Sequence, residues 1–573
     1  MPPTTEMPPR PDTATLLDWL TPLYGGRGAA LIMDRASASA QKHGLPAGDA
    51  GPGRPVDQSL AVLITYGDMV QAPGEVPLAT LRRFLRERVP DVLPAVHVLP
   101  FYPYSSDDGF AVIDYRAVDR NLGDWSDVRA LAAERELMFD LVLNHISRGS
   151  QWFANYLADA DPGRDYFIEV DPATDLRAVV RPRSTPLLAE VPTARGTRHL
   201  WATFSEDQID LDFANPAVLA EFVDIIFGYV AAGARLLRLD AVAFLWKRIG
   251  TPCIHLPETH RVIKFLRALL AGYAPQVLLV TETNVPHREN ISYLTDGDEA
   301  HLAYQFALPP LLLHTLLTGD GAALREWAAS LPALPPGCHF FNFTASHDGI
   351  GVRAVENILD DAQRDALVAT VRERGGFVST RAGNDGVHHP YELNIAYVSA
   401  LAGDDGHAAA RFLCSQAVAL SLRGVPGVYF HSLVGTPNDR RGVEASGRYR
   451  SINRRRWDHA ELAAKLDGEG EPARIFRGMR HLLDTRAAQP AFHPDAAQRI
   501  VDLGDHLFVV ERQSLDGRQT LLAVHNLTDR EVRLSTSVLP EANRWWDLVA
   551  GRSMPATIRE VALAPYQVAW FSN

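Results

Sequence analysis

The sequence predicts an α/β protein: a (β/α)8 TIM barrel with a subdomain inserted after the third strand and a C-terminal antiparallel β domain. Three observations predict it. Buried-strand patterns alternate with helical ones along most of the chain, which indicates βα units and a parallel sheet. Roughly eight such units over about 400 residues suit a closed barrel better than a doubly wound sheet. Two stretches, about 148–205 and about 488–573, break that rhythm.

The elements follow in order. Residues 1 to about 13, proline-rich and polar, are expected to be disordered, and "TATLLDWLTPLYG" then starts a helical pattern. "GLPAGDAGPGRP", from Gly44 to Pro55, reads as a glycine/proline loop. "SLAVLITYGDMV" and "AVHVLPF" read as the first two buried strands, with "PLATLRRFLRERV" as the helix between them. "ELMFDLVLNHI" is the third strand. "VLAEFVDIIFGYVAAG" reads as an amphipathic helix ending in glycine, and "LLRLDAVAF" as the strand after it. "THRVIKFLRALLAGY" and "QVLLVTETN" repeat the pair; "CHFFNFTASHDG" is a further strand, and "LCSQAVALSLRGVPGVYFHS" a helix and then a strand. "HLFVVERQ", "QTLLAVHNL" and "YQVAWFS" alternate as antiparallel strands do. The expected division is an N-terminal segment 1–55, the barrel over 56–147 and 206–487, an inserted subdomain over 148–205, and a β domain over 488–573.

Composition bounds the function. The chain has 573 residues, 46% hydrophobic and 22% charged, with a formal net charge of −13. That balance argues against nucleic acid as a partner, because a phosphate backbone needs a basic face. It leaves room for a small anionic ligand held by local arginines. Cys253, Cys338 and Cys414 are far apart and form no zinc or disulfide pattern. The N-terminus has no apolar signal region and no stretch is long and apolar enough for a membrane span, so a cytoplasmic monomer or homodimer without membrane contact is expected.

The chemistry collects at predicted strand ends. "FDLVLNH" ends in Asn144 and His145, "LLRLDAV" carries Arg238 and Asp240, "VLLVTETN" carries Glu282, and "FNFTASHD" ends in His347 and Asp348. Arg238 and Asp240 sit two apart in a strand, so they share a face. One charged residue near a strand end usually marks a salt bridge or loop contact. Four strands with the same anomaly point to one shared site, since active sites of such barrels lie at the C-terminal ends of the strands.

These residues carry a resemblance. "DLVLNH", "RLDAV", "TETN" and "ASHD", in that order, resemble the four short regions of the α-amylase family of glycoside hydrolases and transglycosylases (glycoside hydrolase family 13). "SSDDGFAVIDYRAVDRNLG" is similar to a further family stretch. The resemblance implies that Asp240 is the nucleophile, Glu282 the general acid/base and Asp348 the transition-state stabiliser. A retaining mechanism needs one ionised carboxylate to attack and one protonated carboxyl to release the leaving oxygen. Arg238 is expected to keep Asp240 ionised. Asp107, His145 and His347 resemble the family's glucose-holding residues, and Phe110 is placed to stack on the sugar.

Finer stretches separate acceptors. "RPRSTPLL", "RHLWATFSEDQIDLDFANP" and "GRYRSINRRRW" resemble the sucrose phosphorylase subgroup, which passes glucose to phosphate through a covalent intermediate. On this resemblance Arg183 and Arg454 are expected to bind phosphate or the acceptor, and Gln208 to join the site. The following Arg455 and Arg456 read as a solvated basic run. The acceptor loop departs from the subgroup's "LDxYQxN". In "GNDGVHHPYELNIAY" Tyr391 and Asn394 keep their places, Glu392 replaces a glutamine, and His389-Pro390 replace the preceding pair. "GTPCIHLPETHRVIKFLRALL" and "TETNVPHRENISYL" look more like the glucosylglycerate phosphorylase branch. In that branch the glycerate carboxylate needs a partner, for which Arg381, His388, His389 and the backbone at Gly383 and Gly386 are candidates. The expected partners are therefore a small sugar substrate and inorganic phosphate. Sucrose or glucosylglycerol phosphorylase activity, a hydrolase or transglucosidase, and an inactive binding module stay open as alternatives. No metal or organic cofactor is expected, although Asn144 has a counterpart at the calcium site of many α-amylases.

Overall fold

The computed structural model describes residues 13–45, 56–90, 92–382, 388–539 and 542–573. The expected disorder before residue 13, most of the Gly44–Pro55 loop, and Gly383 and Gly386 lie outside the described residues. Eight parallel strands close into a barrel: β1 (Val62–Thr65), β2 (Ala95–Val98), β3 (Glu136–Leu141), β4 (Ala234–Leu239), β5 (Leu278–Thr281), β6 (Leu302–Tyr304), β7 (His339–Phe343) and β8 (Val425–Tyr429). Each pairs with its neighbours in sequence, and β8 pairs with β1. Nearly every strand residue is buried, because side chains fill the barrel inside and helices cover it outside. This is why the strands read as continuous apolar runs.

β6 has no counterpart in the sequence reading. Its three residues, Leu-Ala-Tyr, contain no β-branched side chain and are too few to show a period. The helix Pro216–Ala231 corrects a second expectation, since twelve of its sixteen residues are buried and it has no solvent face of the expected kind. The reason is tertiary. The helix Thr13–Lys42 packs across its outer side, and Glu221 and Asp224 are covered and paired. Glu221 meets Arg35 and Arg116, each at 2.7 Å, and Asp224 meets Lys42 and Arg116, each at 2.9 Å.

Between β3 and β4, the inserted segment holds the helix Gln151–Leu157 and a hairpin, Leu188–Thr193 with Gly196–Trp201. Val170, Val179, Leu187 and Trp201 make a small core there, closed by Cys253 of the segment after β4. At the C-terminus six antiparallel strands form one sheet, with an apolar cluster around Val509, Leu522, Val524 and Phe571. Among the described residues no helix is long and apolar enough to cross a membrane.

Candidate active site

A cavity opens where β3, β4, β5 and β7 end. Its lining includes Asp107, Phe110, His145, Arg183, Gln208, Arg238, Asp240, Glu282, His347, Asp348, Tyr391 and Glu392. Asp240 and Glu282 each stand one residue beyond their strand, and Asp348 lies in the loop after β7. The chain turns sharply at Ala241, whose backbone is left-handed (φ 48°), a conformation costly for a residue with a Cβ. That turn aims the Ala241 N–H at Glu282 Oε2, 3.1 Å away.

Arg238 is the hub of the charges. Its Nη1 donates to Asp240 Oδ1 at 2.8 Å, and its Nη2 lies 3.8 Å from Glu282 Oε2. It also donates to Asp140, which sits beside it in β3 and in turn bonds His97 of β2 at 2.7 Å. His97, Asp140, Arg238 and Asp240 are buried, and Glu282 is half-buried. Burial most strongly pushes Asp240 and Glu282 upward, and Arg238 opposes it at each. Carboxyls this close take up protons as a pair. Arg238 touches Asp240 and stands farther from Glu282, so it favours the charged form of Asp240 more than that of Glu282, while burial raises both, Asp240 the more strongly. A retaining displacement requires one carboxyl of the pair ionised and the other protonated.

Asp348 has its own cations. Arg450 Nη1 lies 2.6 Å from Asp348 Oδ1, and Arg450 also makes a two-pronged bond to Glu392 at 3.0 and 2.6 Å. Burial opposes ionisation of Asp348 most strongly, but Arg450, then Arg454 and Arg238, outweigh it and hold the carboxyl below its usual range. Glu392 accepts as well from the Gly349 N–H at 3.0 Å. Its carboxylate thus ties Arg450 to the loop of Asp348 while it also lines the cavity.

Asp107, Phe110, His145, Arg183, Gln208, His347 and Tyr391 line the same cavity. Phe110 stacks on His347 with centroids 4.9 Å apart. Gln208 Nε2 lies 3.2 Å from Asp107 Oδ2 and 3.1 Å from His145 Nε2. The Arg183 guanidinium rests over the Tyr391 ring at 5.7 Å. Arg454 is not among the cavity-lining residues. It lies behind Asp348, donating to the His347 carbonyl at 2.8 Å and to Asp108. Arg455 lies over Trp457 at 3.7 Å and Arg456 pairs with Asp68, both away from the cavity. Arg381 pairs with Glu356 at 3.0 Å, and Arg381 and His389 line a separate cavity.

Asn144 and Asp210 share a buried cation from the chain itself. Lys247 Nζ lies 2.6 Å from Asn144 Oδ1 and 2.6 Å from Asp210 Oδ2. Asp296, Asp298 and Glu299 cluster elsewhere, around the ammonium of Lys264.

Comparison with known proteins places this geometry. Residues 93–323 match the model of the α-amylase catalytic domain. Glucosylglycerate phosphorylase of Spirochaeta thermophila is 45% identical over 90% of this chain and 90% of its own. That of Allomeiothermus silvanus is 45% identical over 97% of this chain and 98% of its own. The chain belongs to the α-amylase family. Sucrose 6F-phosphate phosphorylase from Thermoanaerobacter thermosaccharolyticum has a similar solved structure. Its TM-score is 0.72 at 25% identity, covering 82% of this chain and 94% of that one.

Within this α-amylase-family site, sequence reasoning missed three residues. Asp140 and His97 are polar residues inside the apolar runs "MFDLV" and "AVHVL", the same anomaly that exposed Arg238. Arg450 left a weaker signal, because "GRYRSINRRRW" offers five arginines and spacing does not rank them. The geometry makes a prediction for Arg450. Its replacement by methionine leaves the buried Glu392 and the half-buried Asp348 without this cation, so kcat/KM is expected to fall about 100-fold or more. Asp348 then protonates at higher pH, because the group opposing its burial is gone. The acid limb of the kcat/KM profile shifts upward, and an unmoved limb would show that Arg450 does not hold that charge.

Proposed function

We infer that this chain is a retaining disaccharide phosphorylase. It transfers the glucosyl group of 2-O-α-glucosyl-D-glycerate to inorganic phosphate, giving α-D-glucose 1-phosphate and D-glycerate. The observation that carries the substrate is the 45% identity to a glucosylglycerate phosphorylase along nine-tenths of both chains. The geometry supports the chemistry. Asp240 attacks the anomeric carbon, the bond to glycerate O2 breaks, and the Glu282 proton passes to that oxygen. A glucosyl ester of Asp240 results. Glycerate leaves, a phosphate oxygen attacks the same carbon, its proton returns to Glu282, and the ester bond to Asp240 breaks. Asp348, held ionised by Arg450, opposes the positive charge that grows on the sugar ring in both steps. Asp107, His145, His347 and Gln208 hold the ring hydroxyls, and Phe110 covers one ring face. Arg183 supplies positive charge where phosphate enters. The free, buried thiols Cys253, Cys338 and Cys414 support a reducing, cytoplasmic setting.

Release of α-glucose 1-phosphate in phosphate buffer tests the reading, with glucosylglycerate, sucrose and glucosylglycerol as donors. Phosphate-dependent release is expected from glucosylglycerate, at least about 10-fold above the other two in kcat/KM. Stronger release from sucrose keeps the mechanism and overturns the substrate. Free glucose formed at a rate indifferent to phosphate rejects the phosphorylase.

A further inference from the structure

Four arginines line the cavity: Arg183, Arg238, Arg353 and Arg450. Two are matched by carboxylates. Arg238 serves Asp240 and Glu282, and Arg450 serves Asp348 and Glu392. Arg183 lies over the Tyr391 ring. Arg353 has no ion pair or hydrogen bond from its side chain among the described residues. An arginine facing a cavity without a carboxylate is a ready partner for an anion that comes and goes.

The segment that presents Arg353 is fixed. It follows the short strand Ile350–Gly351, which pairs with Leu393 and Glu392. Its neighbours Val352, Ala354 and Val355 are all buried, at 3%, 4% and 0% exposure. A side chain on a rigid turn discriminates better than one on a loop.

A second polar group lines the same cavity. The amide oxygen of Asn284 is buried and receives no hydrogen bond. Asn284 lies against the backbone of Gly351, where a Cβ would come within 2.7 Å of its amide nitrogen. Glycine at that position is what admits the amide. The cavity wall therefore offers a free guanidinium and a free hydrogen-bond acceptor. Glycerate carries a carboxylate and a primary hydroxyl, the two groups that complement them. Glycerol and fructose lack the carboxylate.

We propose that Arg353 is the residue that selects an acidic acceptor, binding the glycerate carboxylate while the Asn284 amide oxygen accepts its primary hydroxyl. This rests on the glucosylglycerate reading above.

Competition for one intermediate tests it. The enzyme is supplied with α-glucose 1-phosphate and an equal mixture of glycerate and glycerol, and the ratio of glucosylglycerate to glucosylglycerol is measured. Both acceptors draw on the same glucosyl-enzyme, so a slower first step or a partly unfolded sample cancels in the ratio. In Arg353→Gln the ratio is expected to fall about 30-fold or more, as for loss of a paired charge at a binding site. Arg353→Lys keeps the charge without the fork and is expected to fall between the two. A ratio in Arg353→Gln within threefold of wild type overturns the proposal. So does a collapse of the ratio in Arg183→Gln alone, which would move the carboxylate to that arginine. If the wild-type enzyme makes no glucosylglycerate from this mixture, the substrate reading itself fails, and Arg353 with it.

Discussion

Asp240→Asn is expected to abolish phosphorolysis, lowering kcat about 10⁴-fold or more, because no ester can form without the attacking carboxylate. The substitution keeps the shape of the side chain, and Arg238 retains its bond to Asp140. Folding is therefore preserved, and the sign of any stability change follows from burial. Asp240 is a carboxyl whose ionisation is opposed in the folded state, chiefly by burial. A carboxyl with its folded pKa raised above the unfolded value subtracts stability as pH climbs past that unfolded value. Asparagine removes the penalty, so the Tm of Asp240→Asn at pH 7 is expected to equal or exceed that of wild type. Activity and thermal unfolding measured on one preparation separate the two effects. Residual turnover within about 100-fold of wild type would reject Asp240 as the nucleophile.

Glu282→Gln is expected to have the next largest effect, and its size depends on the leaving group. Glutamine cannot give a proton to the glycerate oxygen, so kcat for glucosylglycerate falls about 10²–10⁴-fold. Fluoride leaves without a proton. With α-glucosyl fluoride, formation of the glucosyl-enzyme is expected to slow by less than about 10-fold. Equal losses on both donors would assign Glu282 a positioning role instead. The contrast follows from the site's electrostatics. Glu282 is the carboxyl that Arg238 reaches at 3.8 Å, against 2.8 Å for Asp240, and it is pushed upward mainly by burial. Burial thus favours its protonated form, the form that can donate.

Much of this site was legible in the sequence, and for one reason. A polar or charged residue inside an apolar run needs a partner, and strands ending in His145, Asp240, Glu282 and Asp348 each showed that anomaly. Repeated four times in βα order, it named both the barrel and the face that carries the chemistry. The same signal marked Asp140 and His97, which lie deeper in the barrel, inside β3 and β2, and needed the structure to show their link to Arg238. Arg450 and Arg454 show where the signal is silent. Within "GRYRSINRRRW" the polypeptide turns through a short 3-10 helix at Tyr449–Asn453, and that turn sends Arg450 into the cavity and Arg454 behind it. No periodicity in sequence encodes which arginine faces which way.

By itself, the sequence determined the fold class, the order of seven of the eight barrel strands, and the carboxylates at the strand ends. These depend on patterns read within one strand or helix. Only the tertiary structure decided how the charges are matched. Asp140 and Arg238 are 98 residues apart, and Arg450 and Glu392 are 58 apart. Their pairing exists because the barrel closes and brings separate segments to one mouth. It left Arg353 without a carboxylate, and it buried Glu221 and Asp224 beneath a helix that begins two hundred residues earlier. A charge's neighbours in space set its protonation and its role, and closure of the barrel chooses those neighbours.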